Sequence, residues 1–244
     1  MNELDINNPQ LPDFIVPGAD EKKQDEPAKI KVIGVGGGGG NAVNHMYHQG
    51  IGGVSFVLCN TDAQALRNSP VPVKVQLGAK GEGAGNIPEV AKKLAEESAA
   101  EVEALFDDNT RMAFITAGMG GGTGTGAAPV VARIAKEKGV LTVGIVTIPF
   151  LFEGEPKILQ AFAGVEEMRK HVDALLVINN ERLCKIYPDL SWTTAFAKAD
   201  DSLSNAGRSI AELVSKDGKI NLDFADVRTT LKDGGAAVIS TGSG

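Results

Sequence analysis

Cysteine is nearly absent, with two residues, Cys59 and Cys184, in 244. They lie far apart, in or beside apolar runs. This excludes a disulfide framework, and both read as small buried hydrophobes suited to a reducing cytoplasm. Positive charge is in deficit: 24 Lys and Arg against 31 Asp and Glu leave a net charge of −7. No basic field is available to gather nucleic acid or anionic lipid, so neither is expected as a partner. No apolar run approaches the roughly 20 residues of a membrane-spanning helix, so direct membrane insertion is not expected. The first residues, Met1 to Asp5, lack the basic start and apolar stretch of a signal peptide. Also missing is any G-x-x-x-x-G-K-[ST], which excludes the P-loop NTPases. Of three histidines, His45 and His48 stand three apart with no third ligand nearby in sequence. They read as a solvated helix face, and no protein-held metal is expected. The single tryptophan, Trp192, opens a helical pattern and reads as a packing residue.

What the chain does have is glycine, 30 residues of it, much of it in two tight clusters. Residues 1–28, rich in Asn, Pro, Asp, Glu and Lys, show no period and read as a disordered leader. From Lys29 short β-branched runs alternate with helical stretches. Strands are expected at 30–35, 54–60, 111–117, 141–148 and 173–178, and helices at 41–49, 88–106, 126–138 and 156–170. That alternation predicts an α/β fold: a Rossmann-like parallel sheet with helices on both faces, binding its ligand at the carboxyl ends of the strands. A long connecting helix is expected over 192–215, from Phe196, Ala199, Leu203, Ala206, Ile210 and Leu213 at spacings of three and four. Gly218 stops it, and residues 236–240 read as one more strand.

The first cluster, Gly34 and Gly36 to Gly40, follows a strand, and Asn41 opens a helix. Glycine lets the backbone turn tightly and lets N–H groups approach a polyphosphate, while the helix N-terminus adds partial positive charge. Gly34, Gly36 and Gly39 also satisfy G-x-G-x-x-G, and Asp62 stands where an acid would meet a ribose hydroxyl. On this cluster alone a nicotinamide-dependent oxidoreductase and a GTPase are equally good readings. The second cluster, GGGTGTG over residues 120–126, also lies between a strand and a helix and forms a second phosphate cradle. Thr123 and Thr125 there offer hydroxyls to phosphate oxygens. Two convergent loops suit a nucleoside triphosphate.

GGGTGTG resembles the phosphate-binding signature of the tubulin/FtsZ superfamily, and KVIGVGGGGGNA over residues 31–42 resembles the family's first nucleotide loop. The resemblance implies GTP or GDP bound by backbone donors at Gly37, Gly38, Gly39, Gly40 and Asn41 and by Gly122, Thr123 and Gly124 around the phosphates. Mg²⁺ would be held through those phosphates. Asn60, Thr61 and Asp62 match a further loop of the site, and residues 81–89 resemble the loop that senses the γ-phosphate. Glu153 is implied to accept from the ribose. Lys157 stands where the family commonly has Arg, with Glu155 and Pro156 in usually basic positions. Asn180 and Asp200 fit base recognition, since Asp200 can accept from guanine N1–H and N2–H together while Phe196, one turn earlier, stacks on the ring.

Asn221, Asp223 and Asp226 match the family's catalytic loop, which completes the site of the next subunit in a head-to-tail filament. The resemblance therefore implies a GTP-hydrolysing protein of the bacterial division ring, cytoplasmic and placed at midcell. Both acids argue against a non-catalytic tubulin-like scaffold. The expected organisation is a leader (1–28), GTP-binding domain (29–190), connecting helix (191–217), catalytic loop and following helix (218–235), and the start of a second, truncated domain (236–244). The chain is then expected to be a fragment that binds nucleotide but polymerises poorly. The family's tail, which recruits membrane-anchor and division proteins, would be missing.

Overall fold

The computed structural model describes residues 29–51, 53–187, 189, 191–215 and 224–236. Its first half comprises β1 (Lys29–Val35), α1 (Gly36–His48), β2 (Val54–Asn60), α2 (Ala63–Arg67), β3 (Val73–Gln76), α3 (Pro88–Glu97), α4 (Ala99–Ala104) and β4 (Thr110–Gly118). The second comprises α5 (Gly122–Glu137), β5 (Leu141–Ile148), a 3-10 turn (Leu151–Glu153), α6 (Glu155–Lys170), β6 (Ala174–Asn179), α7 (Glu181–Ile186), α8 (Trp192–Ser215), α9 (Phe224–Leu231) and β7 (Gly235–Ala236).

The strands form one sheet in the order β3-β2-β1-β4-β5-β6-β7, and every pairing is parallel. Chain order runs outward from β1 in one direction and outward from β4 in the other. The β1/β4 boundary is therefore the topological switch point, where an open α/β sheet leaves a crevice for a ligand.

Parallel strands covered on both faces must be apolar throughout, and here their side chains alternate between two cores. Ile33, Val35, Val57, Cys59, Ile115 and Val146 pack with α3, α4, α5 and α6. Val32, Phe56, Leu58, Phe114, Val143 and Ile145 pack with α1, α8 and α9. Burial pushes the Cys59 thiol up to about 12, so it behaves as a hydrophobe, whereas Cys184 is only partly buried. No helix among the described residues is long and apolar enough to cross a membrane.

The differences from the expected elements have local causes. Helices α1 and α5 begin at Gly36 and Gly122, so the glycines are first turns of helices rather than loops ahead of them. The single helix expected over 88–106 is broken at Ser98, whose buried hydroxyl accepts from Gly78 N–H at 2.9 Å and ties the chain to β3. His45, expected on a solvated face, lies 3.2 Å from Asp201 of α8. The strand expected from 236 starts at Gly235 and adds to β6, with residues 237–240 outside the described residues.

Candidate functional site

Two helices start on either side of the switch point, and neither is capped by a side chain. Val35 and Gly121 occupy the N-cap positions of α1 and α5, and no acidic residue stands in either first turn. The first four N–H groups of a helix have no intrahelical partner. With the helix dipole they make a receptor for an anion.

The glycines divide into two groups by what a Cβ would meet. At Gly34 it would lie 2.5 Å from the Gly39 carbonyl oxygen, and at Gly36 2.8 Å from the Gly124 nitrogen. At Gly39 it would strike the Thr116 carbonyl oxygen, and at Gly124 that of Gly118. These glycines let β1, α1, β4 and α5 converge backbone against backbone. Gly37 meets nothing within 4 Å, and Gly40 only the edge of Leu58 at 4.0 Å. The open side of the turn is thus at Gly37 and Gly40, which with Asn41 and Asn44 line a small cleft beside β2. Gly39→Ala is expected to lower the unfolding free energy by about 1–3 kcal/mol through overpacking. Gly37→Ala should leave the melting temperature nearly unchanged while weakening nucleotide binding. Parallel thermal melts and binding titrations distinguish the two, and equal destabilisation would overturn the division.

The second loop is braced from three sides. Thr61, following β2, shares a 2.7 Å hydroxyl hydrogen bond with Thr123 in the first turn of α5. The Thr125 hydroxyl, expected to face phosphate, is buried and accepts the Gly120 N–H at 2.8 Å, closing the turn on itself. Gln160 of α6, which carried no motif signal, donates from Nε2 to the carbonyls of Gly120 (3.0 Å) and Gly121 (3.2 Å). The segment 81–89 lies against the same turn. A Cβ on Gly122 would stand 2.8 Å from the Ile87 nitrogen and 3.0 Å from the Asn86 Cα. Gly83 and Gly85, both with positive φ, meet nothing within 4 Å.

Beyond β5 and β6 the site becomes aromatic. Phe150 and Phe152 stack at 4.8 Å, and Phe196 of α8 meets them edge-on at 5.4 and 6.0 Å. Phe196 is 43% exposed, so it is a surface ring with room for a partner. The Glu153 carboxylate accepts the Phe150 N–H at 3.0 Å and lies 3.3 Å from Lys157 Nζ. Asn180 is 5% exposed, and its Oδ1 has no hydrogen-bond partner among the described residues. An orphaned buried acceptor costs about 1–3 kcal/mol, which a ligand N–H or O–H would recover. Desolvation raises the Asp200 carboxyl to about 6; His45 opposes the shift and Asp201 adds to it.

Asp62, the acid that an oxidoreductase would use on a ribose, is engaged otherwise. Its carboxylate caps α2, accepting from Gln64 N–H (2.8 Å) and Ala65 N–H (3.3 Å). Asn221 and Asp223 lie outside the described residues. Asp226 is exposed in the first turn of α9, and α9 leads directly into β7, which enters the sheet opposite Ala174, the first residue of β6. The C-terminal end of α9 is therefore at the amino end of the strands. Gly36, Asn60, Gly118 and Asn180 stand at the carboxyl ends of their strands.

A doubly wound sheet with two uncapped, glycine-opened helices at its switch point defines a nucleotide-binding α/β domain. Residues 29–188 match the model of the Tubulin/FtsZ family, GTPase domain, and the chain belongs to that family. The cell division protein FtsZ of Porphyromonas gingivalis is 66% identical over 222 residues, 89% of this chain and 49% of that protein. FtsZ of Bartonella bacilliformis is 53% identical over 218 residues, 88% of this chain and 37% of its own. The chain thus spans about half the length of the relatives it matches or less. Among solved structures, an empty FtsZ dimer (M. jannaschii) superposes with TM-score 0.84 at 45% identity, covering 87% of this chain and 63% of that one. A GTPγS-bound protofilament of CetZ2 from Haloferax volcanii gives 0.73 at 25% identity, covering 85% and 64%.

Proposed function

We propose that this chain binds GTP and GDP in the crevice between α1 and α5, and that hydrolysis needs a second copy stacked head to tail. The polyphosphate lies against the amides opened by Gly37, Gly40, Asn41, Gly122, Thr123 and Gly124, with Gly38 and Gly39 completing the first turn. Glu153 and Lys157 face the ribose. The guanine rests on Phe196, with Asp200 accepting N1–H and N2–H and the Asn180 acceptor satisfied by the ligand. Among the described residues no three His, Cys, Asp or Glu side chains converge. Mg²⁺ would be held through phosphate oxygens, where it would neutralise developing charge.

One observation supports the assembly reading: α9, which carries Asp226, feeds β7 at the amino end of the strands, whereas the two glycine clusters follow the carboxyl ends of β1 and β4. In this reading a copy cannot bring its own Asp226 to its own nucleotide. A neighbour stacked along the strand direction can, and Asn221, Asp223 and Asp226 of that neighbour would orient the attacking water. Stacking of this heterologous kind does not close and yields filaments. In the whole protein we take these to be the cytoplasmic filaments of the bacterial division ring. A nicotinamide oxidoreductase would need Asp62, which the cap of α2 already engages.

The direct test is to denature the purified protein and identify released nucleotide by ion-exchange chromatography against GDP, GTP, ADP and NAD. Near-stoichiometric guanine nucleotide is expected, and a released dinucleotide would overturn the reading. Turnover per molecule should rise with protein concentration, whereas a constant specific rate down to nanomolar protein would sink the shared site.

A further inference from the structure

Gln160 stands one turn into α6, and its amide reaches three carbonyls belonging to two different loops. Nε2 lies 3.0 Å from Gly120 O, 3.2 Å from Gly121 O and 3.4 Å from Asn86 O. In a trans peptide the carbonyl of one residue and the N–H of the next point in opposite directions. Drawing the Gly120 and Gly121 carbonyls toward α6 therefore turns the N–H groups of Gly121 and Gly122 away from α6. These two amides lead into α5, whose start has no side-chain cap. Gly120 itself, at φ +101, is backed by the Lys157 carbonyl, which leaves 2.9 Å for a Cβ there. Helix α6 thus supports the phosphate turn through one backbone contact and one side chain. The third carbonyl, Asn86 O, belongs to the segment that packs on Gly122, and Asn86 holds a positive φ of 61°.

We infer that Gln160 is a positioning residue: it aims the Gly121 and Gly122 amides at the polyphosphate and locks the 81–89 segment to the same turn. Gln160 thereby sets how much more tightly a triphosphate is held than a diphosphate. The inference rests on the guanine-nucleotide reading above. Two donors are shared among three acceptors, so the contribution is that of one or two hydrogen bonds.

The test measures binding of GTPγS and of GDP to the nucleotide-free chain, below the concentration at which it self-associates, for wild type, Gln160→Leu and Gln160→Glu. Gln160→Leu should weaken GTPγS about tenfold and GDP no more than about threefold. Gln160→Glu keeps the size and length of glutamine but has no N–H to donate. A packing role would leave this variant close to wild type, whereas a donor role makes it at least as weak as Gln160→Leu. Wild-type affinities in both variants, or an equal loss for both nucleotides, would overturn the inference. Failure of the wild type to bind either nucleotide would overturn the nucleotide reading, and this inference with it.

Discussion

Replacing Asp226 with alanine is expected to lower GTP turnover by roughly 10²- to 10⁴-fold, the usual contribution of a positioned acid or base, while leaving guanine-nucleotide affinity unchanged. The reason is positional. Asp226 is exposed in the first turn of α9, the helix that feeds β7 at the amino end of the sheet, whereas the two glycine clusters follow the carboxyl ends of β1 and β4. In the proposed assembly, loss of its carboxylate leaves the binding crevice untouched and removes a group that a neighbouring copy uses. Val227, the next residue, is buried in the core and anchors α9, so the substitution should not unfold the helix. Mixing sharpens the test. Asp226→Ala retains a nucleotide site, and Asp200→Asn, discussed next, retains an intact Asp226 but binds GTP poorly. In an equal mixture about a quarter of head-to-tail interfaces would pair a working nucleotide site with a working acid. Steady-state phosphate release should therefore recover well above the sum of the separate variants. A mixture no faster than that sum would show that the two halves do not come from different copies.

Asp200→Asn is expected to weaken GTP binding by at least roughly a hundredfold and to favour the xanthine nucleotide over it. A carboxylate accepts both N1–H and N2–H of guanine. Asparagine offers one acceptor and one donor, which fits the N1–H and O2 of xanthine and leaves guanine N2–H facing another donor. Discrimination is steep where a buried polar pair must be matched, because the mismatched group stays unpaired. Competition titrations with GTP and XTP report the ratio directly, and equal losses for both would mean that Asp200 does not read the base. The same residue makes binding depend on pH. Only the carboxylate accepts both N–H groups, and desolvation raises the empty-site pKa to about 6. GTP affinity should therefore be full above that pH and fall as pH drops through 6, with a proton released on binding near pH 6. In the Asp200→Asn variant this pH dependence should vanish.

Much of the architecture could be read from spacing alone. The helix expected over 192–215 runs from Trp192 to Ser215, and the strands expected over 54–60 and 141–148 have those bounds. In each the apolar period is long or the β-branched run unbroken, so local preference and tertiary packing agree. The misses were short or overridden. Strand β3 has four residues, three of them exposed, and prolines at 70 and 72 precede it; it exists because β2 offers it a ladder. The break at Ser98 comes from a single buried hydroxyl reaching Gly78 across 20 positions in sequence. A propensity read along the helix has no access to that contact.

At the site, the glycine signature was legible because it is a local chemical requirement: closely approaching backbone and uncapped helix starts demand residues without a Cβ, wherever the rest of the chain lies. What the tertiary structure alone decided is how these pieces divide the work. It separates the glycines that admit a backbone, Gly34, Gly36, Gly39 and Gly124, from those that face open space, Gly37 and Gly40. It turns Thr125 inward, commits Asp62 to a helix cap, leaves Asn180 Oδ1 without a partner and brings Gln160 under the phosphate turn. It also brings α9, which carries Asp226, into the sheet at the amino end of the strands, whereas the glycine clusters follow their carboxyl ends. Each of these depends on which distant segments meet and on how much water they exclude. Sequence spacing encodes the chemistry a residue can perform, but only the packed sheet determines which atoms are within reach of one another.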